Sequence, residues 1–160
     1  MRGLALFAAL ATLGCYTVDL GQPPADINAC RPSQSYFVYG TASDGGTNKG
    51  IWQDVLNKDY GGRKCHDSNC HGPGATNSLR LTVPSCRPDD VANPCMPPIP
   101  LTAEWADNYR ATAEQMNCSN VAASRLLALP SGLQSHGGNK LFEPNGTEAD
   151  VIIGWPGAAP

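Results

Sequence analysis

The 160-residue chain has no apolar run approaching the ~20 residues of a membrane-spanning helix, so a helical span is excluded. It has no excess of positive charge either: the formal net charge is -3, and nothing resembles the basic footprint of a nucleic-acid binder. No G-x-S-x-G elbow is present, which disfavours a serine hydrolase of that kind. Only three His occur, His66, His71 and His136, and they fall in two short segments. No catalytic residue set is expected from them. Gly and Pro are plentiful instead, at 17 and 14 residues. That share favours loops and short elements over long regular ones. The length suits one domain, or one domain with a long tail.

Residues 1–14 read as an export signal, with Arg2 as the positive start and Leu4 to Leu13 as the apolar stretch. Leu13, Gly14 and Cys15 follow. They resemble a bacterial lipobox, in which the Cys becomes the first mature residue and carries lipid. Thr12 stands where Leu is usual. The other reading is an ordinary cleaved signal that leaves Cys15 as a spare thiol. On the lipobox resemblance Tyr16, rather than Asp, implies an outer-membrane lipid anchor, and several acyl chains on one Cys meet the two-signal requirement for stable attachment. Seven Cys are present. With Cys15 lipidated, six remain, enough for three disulfides in fifteen possible connectivities. Such usage implies the oxidising compartment beyond the cytoplasm.

The stretch CHDSNCH at residues 65–71 carries the chemistry. Cys-x-x-Cys-His is the attachment signature of c-type haem: two thiols for two vinyl groups, then an imidazole aimed at the iron. Here four residues separate Cys65 from Cys70, and His71 follows at once. That spacing resembles a minority variant of the site found in some bacterial cytochromes. Two plainer readings stand beside it. Cys65 and Cys70 could close a small disulfide loop, or Cys65, His66, Cys70 and His71 could hold zinc. The zinc reading suffers because adjacent side chains point apart. If haem takes two thiols, four of the six remain for two disulfides, so parity does not discriminate.

Along the chain, residues 15–48 read as a tether and wrapping segment, with Cys30 as a staple and residues 35–39 as a short extended run. The pattern over 51–60 predicts a short helix with Ile51, Trp52, Val55 and Leu56 on one face. Residues 79–83 alternate apolar and polar, as a short strand or extended wall does. Cys86 and Cys95 are spaced for a local disulfide. Met96, Pro97 and Pro98 resemble the Met-Pro-Pro loop that offers the distal iron ligand in many bacterial cytochromes c. A helix is predicted over 102–116, capped by Thr102, with Met116 on its core face. A second is predicted over 120–129, ended by Pro130, with Cys118 stapling the junction. A third is predicted over 147–155, capped by Thr147, with Glu148 and Asp150 in its first turn.

Taken in order, Cys-x4-Cys-His, Leu79-x-Leu81, SRLLALP at 124–130, SHGG at 135–138 and Trp155 resemble a family. It is the cytochrome c-like lipoprotein family common in myxobacteria and planctomycetes. The resemblance runs from about Ile51 to Trp155, with Asn139 where a further Gly is common and a Pro-rich end in place of a continued helix. It implies a mainly α, small cytochrome c-like helical domain over 49–160 with long disulfide-pinned loops. It further implies covalent haem c on Cys65 and Cys70, His71 as proximal ligand, and His136 as distal ligand ahead of Met96. The function implied is a membrane-anchored monohaem carrier of single electrons, without catalysis of its own, serving a periplasmic or surface redox protein and binding no nucleic acid. The alternative is a cofactor-free, disulfide-stapled lipoprotein acting as a binding or structural module.

Overall fold

The computed structural model describes residues 32–40, 49–92, 94–136 and 139–157. The signal segment, Cys15, Cys30, most of the expected tether and the 137–138 glycine pair lie outside the described residues.

Four short α-helices and three single turns carry the described chain: α1 (Gln34–Tyr39), a π-helical turn (Trp52–Leu56), α2 (Ala103–Ala113), a 3-10 turn (Val121–Ala123), α3 (Arg125–Ala128), α4 (Thr147–Gly154) and a final 3-10 turn (Trp155–Gly157). Among the described residues there is no strand; one isolated bridge joins Arg87 to Pro94. Helices are thus the regular elements of the described residues, compatible with the expected mainly α class, and long irregular connections join them. Cys86 and Cys95 form the expected disulfide and close the loop between them. Cys118 is also disulfide-bonded.

The core is aromatic. Trp52, Trp105, Trp155 and Phe37 are fully buried. Phe37 meets Trp155 at 5.5 Å between ring centroids, and Trp52 meets Trp105 edge-on at 5.2 Å. Such ring pairs add to the gain from burial alone. Two of the indoles find loop partners: Trp155 Nε1 donates to Ser33 O at 2.9 Å and Trp105 Nε1 to Cys86 O at 2.8 Å, whereas Trp52 Nε1 is buried without one. The Tyr36 hydroxyl donates to Val151 O at 3.0 Å, tying α1 to α4.

Four expectations need correction. The aromatic run 35–39 is helix α1 and not extended. Ser33 accepts from Tyr36 N at 3.1 Å and caps it, and burial of Tyr36, Phe37 and Val38 outweighs their β preference. The helix expected over 51–60 contracts to the π turn, closed by Asn57 N donating to Trp52 O at 2.7 Å. Gly50, at φ +92°, permits this tight entry, since a Cβ there would lie 2.5 Å from Tyr36 O. The helix expected over 120–129 is broken at Ser124, which is extended and turns its own groups to local partners. Its Oγ accepts from Asn117 N at 2.8 Å and its carbonyl accepts from Ala128 N at 2.8 Å. The last helix is flanked at its start by Gly146, with Thr147 already inside it.

Elsewhere α2 begins after Thr102, as the periodicity predicts, although the Thr102 hydroxyl makes no capping bond. Residues 79–83 form no strand, yet burial alternates over 79–82 as the sequence pattern predicts. Leu79 and Leu81 point inward, while the Thr82 backbone pairs with the Asn108 side chain at both its N–H (2.9 Å) and its carbonyl (2.7 Å). Asn108 thus supplies the two bonds that a neighbouring strand would have given.

Candidate cofactor site

The π turn delivers the chain into residues 57–72, a set of linked turns. Cys65 N donates to Leu56 O at 3.1 Å, fixing the first thiol against the core wall. Asp67 organises the four-residue loop: its carboxylate accepts from Lys64 N at 2.7 Å, and its carbonyl accepts from Cys70 N and Gly72 N at 2.8 and 2.9 Å. His71 N donates back to Cys65 O at 3.0 Å, which closes the loop. A glycine is required next, because a Cβ at Gly72 would lie 2.3 Å from His66 O.

These turns send the two histidines apart. His66 lies flat on Trp52, with centroids 5.8 Å apart and planes 10° apart, and its Nε2 bonds Asn57 Oδ1 at 2.7 Å. His71 instead faces a cavity. Its Nδ1 lies 3.0 Å from the Leu79 carbonyl and 3.0 Å from Asn77 Oδ1. A carbonyl can only accept, so Nδ1 is the donor to Leu79 O. Metal-binding histidines are commonly oriented in this way.

His136 comes to the same cavity from the loop after α3. The His71 and His136 ring centroids are 6.1 Å apart, with planes 15° apart. His136 Nδ1 is buried without a hydrogen-bond partner. Burial, followed by the proximity of His71, holds the His136 pKa below its ordinary value, which keeps the ring neutral and able to donate a lone pair.

The cavity encloses about 1000 Å³. That is the upper end of the ~300–1,000 Å³ usual for small-molecule and cofactor pockets. Cys65, Cys70, His71 and His136 all line it, with Leu79, Leu126, Leu129, Leu141 and Phe142 among its apolar wall. Cys65 and Cys70 are free thiols, not joined to each other. Burial pushes the Cys65 thiol up to about 12, and the neighbouring Cys70 and Asp67 act in the same direction. It is therefore protonated at neutral pH, with Sγ 3.7 Å from Val55 O.

No known protein family, curated protein or solved structure matches this chain. The site has to be read from its own residues.

All four residues singled out within the described chain, Cys65, Cys70, His71 and His136, line the one cavity. Met96 is 71% exposed and does not line it. The helix expected over 102–116 ends at Ala113, so Met116 lies beyond it, yet it still packs partly buried against the core. The zinc set does not assemble: His66 is held on Trp52, and among the described residues no three His, Cys, Asp or Glu side chains are placed to share one metal ion. Sequence reasoning missed Asn77 and the Leu79 carbonyl as partners of His71, and Arg63 and Arg125 as lining residues. Asn77, just after the Gly-Pro-Gly turn, was the one local signal available.

Proposed function

We propose that this chain is a monohaem c-type cytochrome that carries single electrons. The observation that carries the reading is the shared cavity: two free thiols and two imidazoles line one space of about 1000 Å³ with a partly apolar wall. The donor set fits the group. Cys65 and Cys70 would hold the macrocycle by thioethers, and His71 and His136, whose ring centroids are 6.1 Å apart, would supply nitrogen ligands to its iron.

When bound, the haem supplies one-electron iron chemistry, and the rest is the chain's own work. The Leu79 carbonyl and Asn77 hold the His71 ring in one tautomer and orientation. Leu79, Leu126, Leu129 and Phe142 offer apolar surface to the macrocycle. Paired imidazoles, without a Met ligand, favour a lower potential than a His/Met pair does. In the same proposal, Cys15 carries the lipid that holds the exported protein at the outer membrane, where a periplasmic or surface redox protein is its partner.

The test is the visible spectrum of the mature chain produced where haem attachment operates. A Soret band that sharpens and shifts on reduction is expected for the wild type, and His71→Ala should lose most of it. A colourless wild type would return the chain to the cofactor-free, disulfide-stapled alternative. A His71→Ala spectrum identical to that of the wild type would remove His71 from the site.

A further inference from the structure

The cavity carries a second chemical feature that the thiols and imidazoles do not use. Three cations, Arg63, Lys64 and Arg125, line it, against a single carboxylate, Asp67. That carboxylate is committed to Lys64 N at 2.7 Å, and the Lys64 ammonium donates to Asn57 Oδ1 at 3.1 Å. Neither guanidinium has a carboxylate partner among the described residues; the ion pairs found there use Lys58, Arg87, Arg110 and Lys140. The basic lining belongs to a chain whose net charge is -3. The same lining also carries apolar side chains, Leu79, Leu129 and Phe142 among them.

We infer that Arg63 and Arg125 form a carboxylate clamp, so that the cavity selects an amphipathic ligand with an apolar body and anionic arms. The inference rests on the proposed haem site and names the part of that group the arginines would read, its two propionate carboxylates. The physical reason is a balance of costs. An apolar cavity gains from burying a macrocycle, but carboxylates drawn toward it lose hydration unless a partner replaces the water. A guanidinium fork matches a carboxylate with two parallel hydrogen bonds and stays charged at every working pH. Arg63 sits in the turn before Cys65, and Arg125 opens α3. The two therefore reach the cavity from separate parts of the chain. Both side chains remain partly in water, so each contact adds a modest increment.

The test titrates the full mature chain, with its thiols reduced and no haem attached, with haemin and with haemin dimethyl ester. The ester keeps the ring and the iron but lacks the charges. Absorbance and tryptophan quenching report binding. The wild type should bind haemin about three- to ten-fold more tightly than the ester, as two partly exposed charge pairs allow. In the Arg63→Gln/Arg125→Gln double variant that preference should fall to about one, with ester binding unchanged and circular dichroism matching the wild type. Arg63→Lys/Arg125→Lys, which keeps the charge, should recover part of the preference. Equal binding of acid and ester by the wild type overturns the clamp and leaves the haem reading standing. Parallel weakening of both ligands in the double variant also overturns it, since the arginines would then act through packing. Failure of both ligands to bind the wild type overturns the clamp together with the proposed site.

Discussion

His66 and His71 stand at the two ends of one short turn system and are prepared for different work. His66 is stacked on Trp52, and burial, with the charge of Lys64, lowers its pKa from the ordinary 6.5. In the unfolded chain the ring takes up its proton near that ordinary value. Below about pH 6.5 the unfolded state thus binds more protons than the folded one, and stability falls as pH drops, levelling off below the folded pKa. Urea unfolding of the haem-free chain at pH 7 and pH 5 should show this loss, and His66→Phe, which keeps a ring on Trp52, should reduce it. An equal loss in the variant would assign the acid sensitivity to other groups. His136 supplies the second prediction at this scale. His136→Ala should shift the spectrum of the holoprotein, while Met96→Ala, at an exposed position, should leave it unchanged. The reverse pattern would make Met96 the distal ligand.

Among the elements, the contact between α2 and the 79–83 segment positions the site most directly. Leu79 gives its carbonyl to His71, and Leu81 N donates to His71 O at 2.7 Å, so a shift of this segment moves the imidazole. Asn108 pins it with two bonds to Thr82. Asn108→Ala removes both and leaves backbone groups short of partners, at a cost of about 2–4 kcal/mol. Chemical denaturation should register that loss; a change under about 0.5 kcal/mol, the range of ordinary surface substitutions, would show that Asn108 is not the pin. This element also marks how far sequence reasoning reaches. Helix α2 was legible because Trp105, Tyr109 and Ala113 recur at helical spacing after Thr102. The alternating burial of the 79–83 segment was legible, but its partner was not, because a side-chain amide 26 residues away leaves no local pattern. Helix α1 was hidden by β-prone aromatics whose burial decides the outcome, and the break at Ser124 by a continuous apolar face.

At the scale of the molecule, the aromatic core and the cavity share a wall. Val55 and Leu56 belong to the core and also line the cavity, so folding of the π turn shapes both. Irregular connections make up much of the chain, and the Cys86–Cys95 bridge holds one of the longest of them. The thiol pair and His71 could be read from local spacing. His136 came only from the order of segments along the chain. Arg63, Asn77 and Arg125 escaped notice because convergence on a cavity is a property of the fold and not of any stretch of sequence. The central claim is that the two thiols at 65 and 70 hold a porphyrin. Its most direct measurement is the mass of the proteolytic peptide spanning residues 65–71, taken without reductant from protein matured where haem attachment operates. The account predicts that peptide with one haem added through both sulfurs. A peptide of unmodified mass, or one lighter by the two hydrogens of a Cys65–Cys70 disulfide, would contradict it.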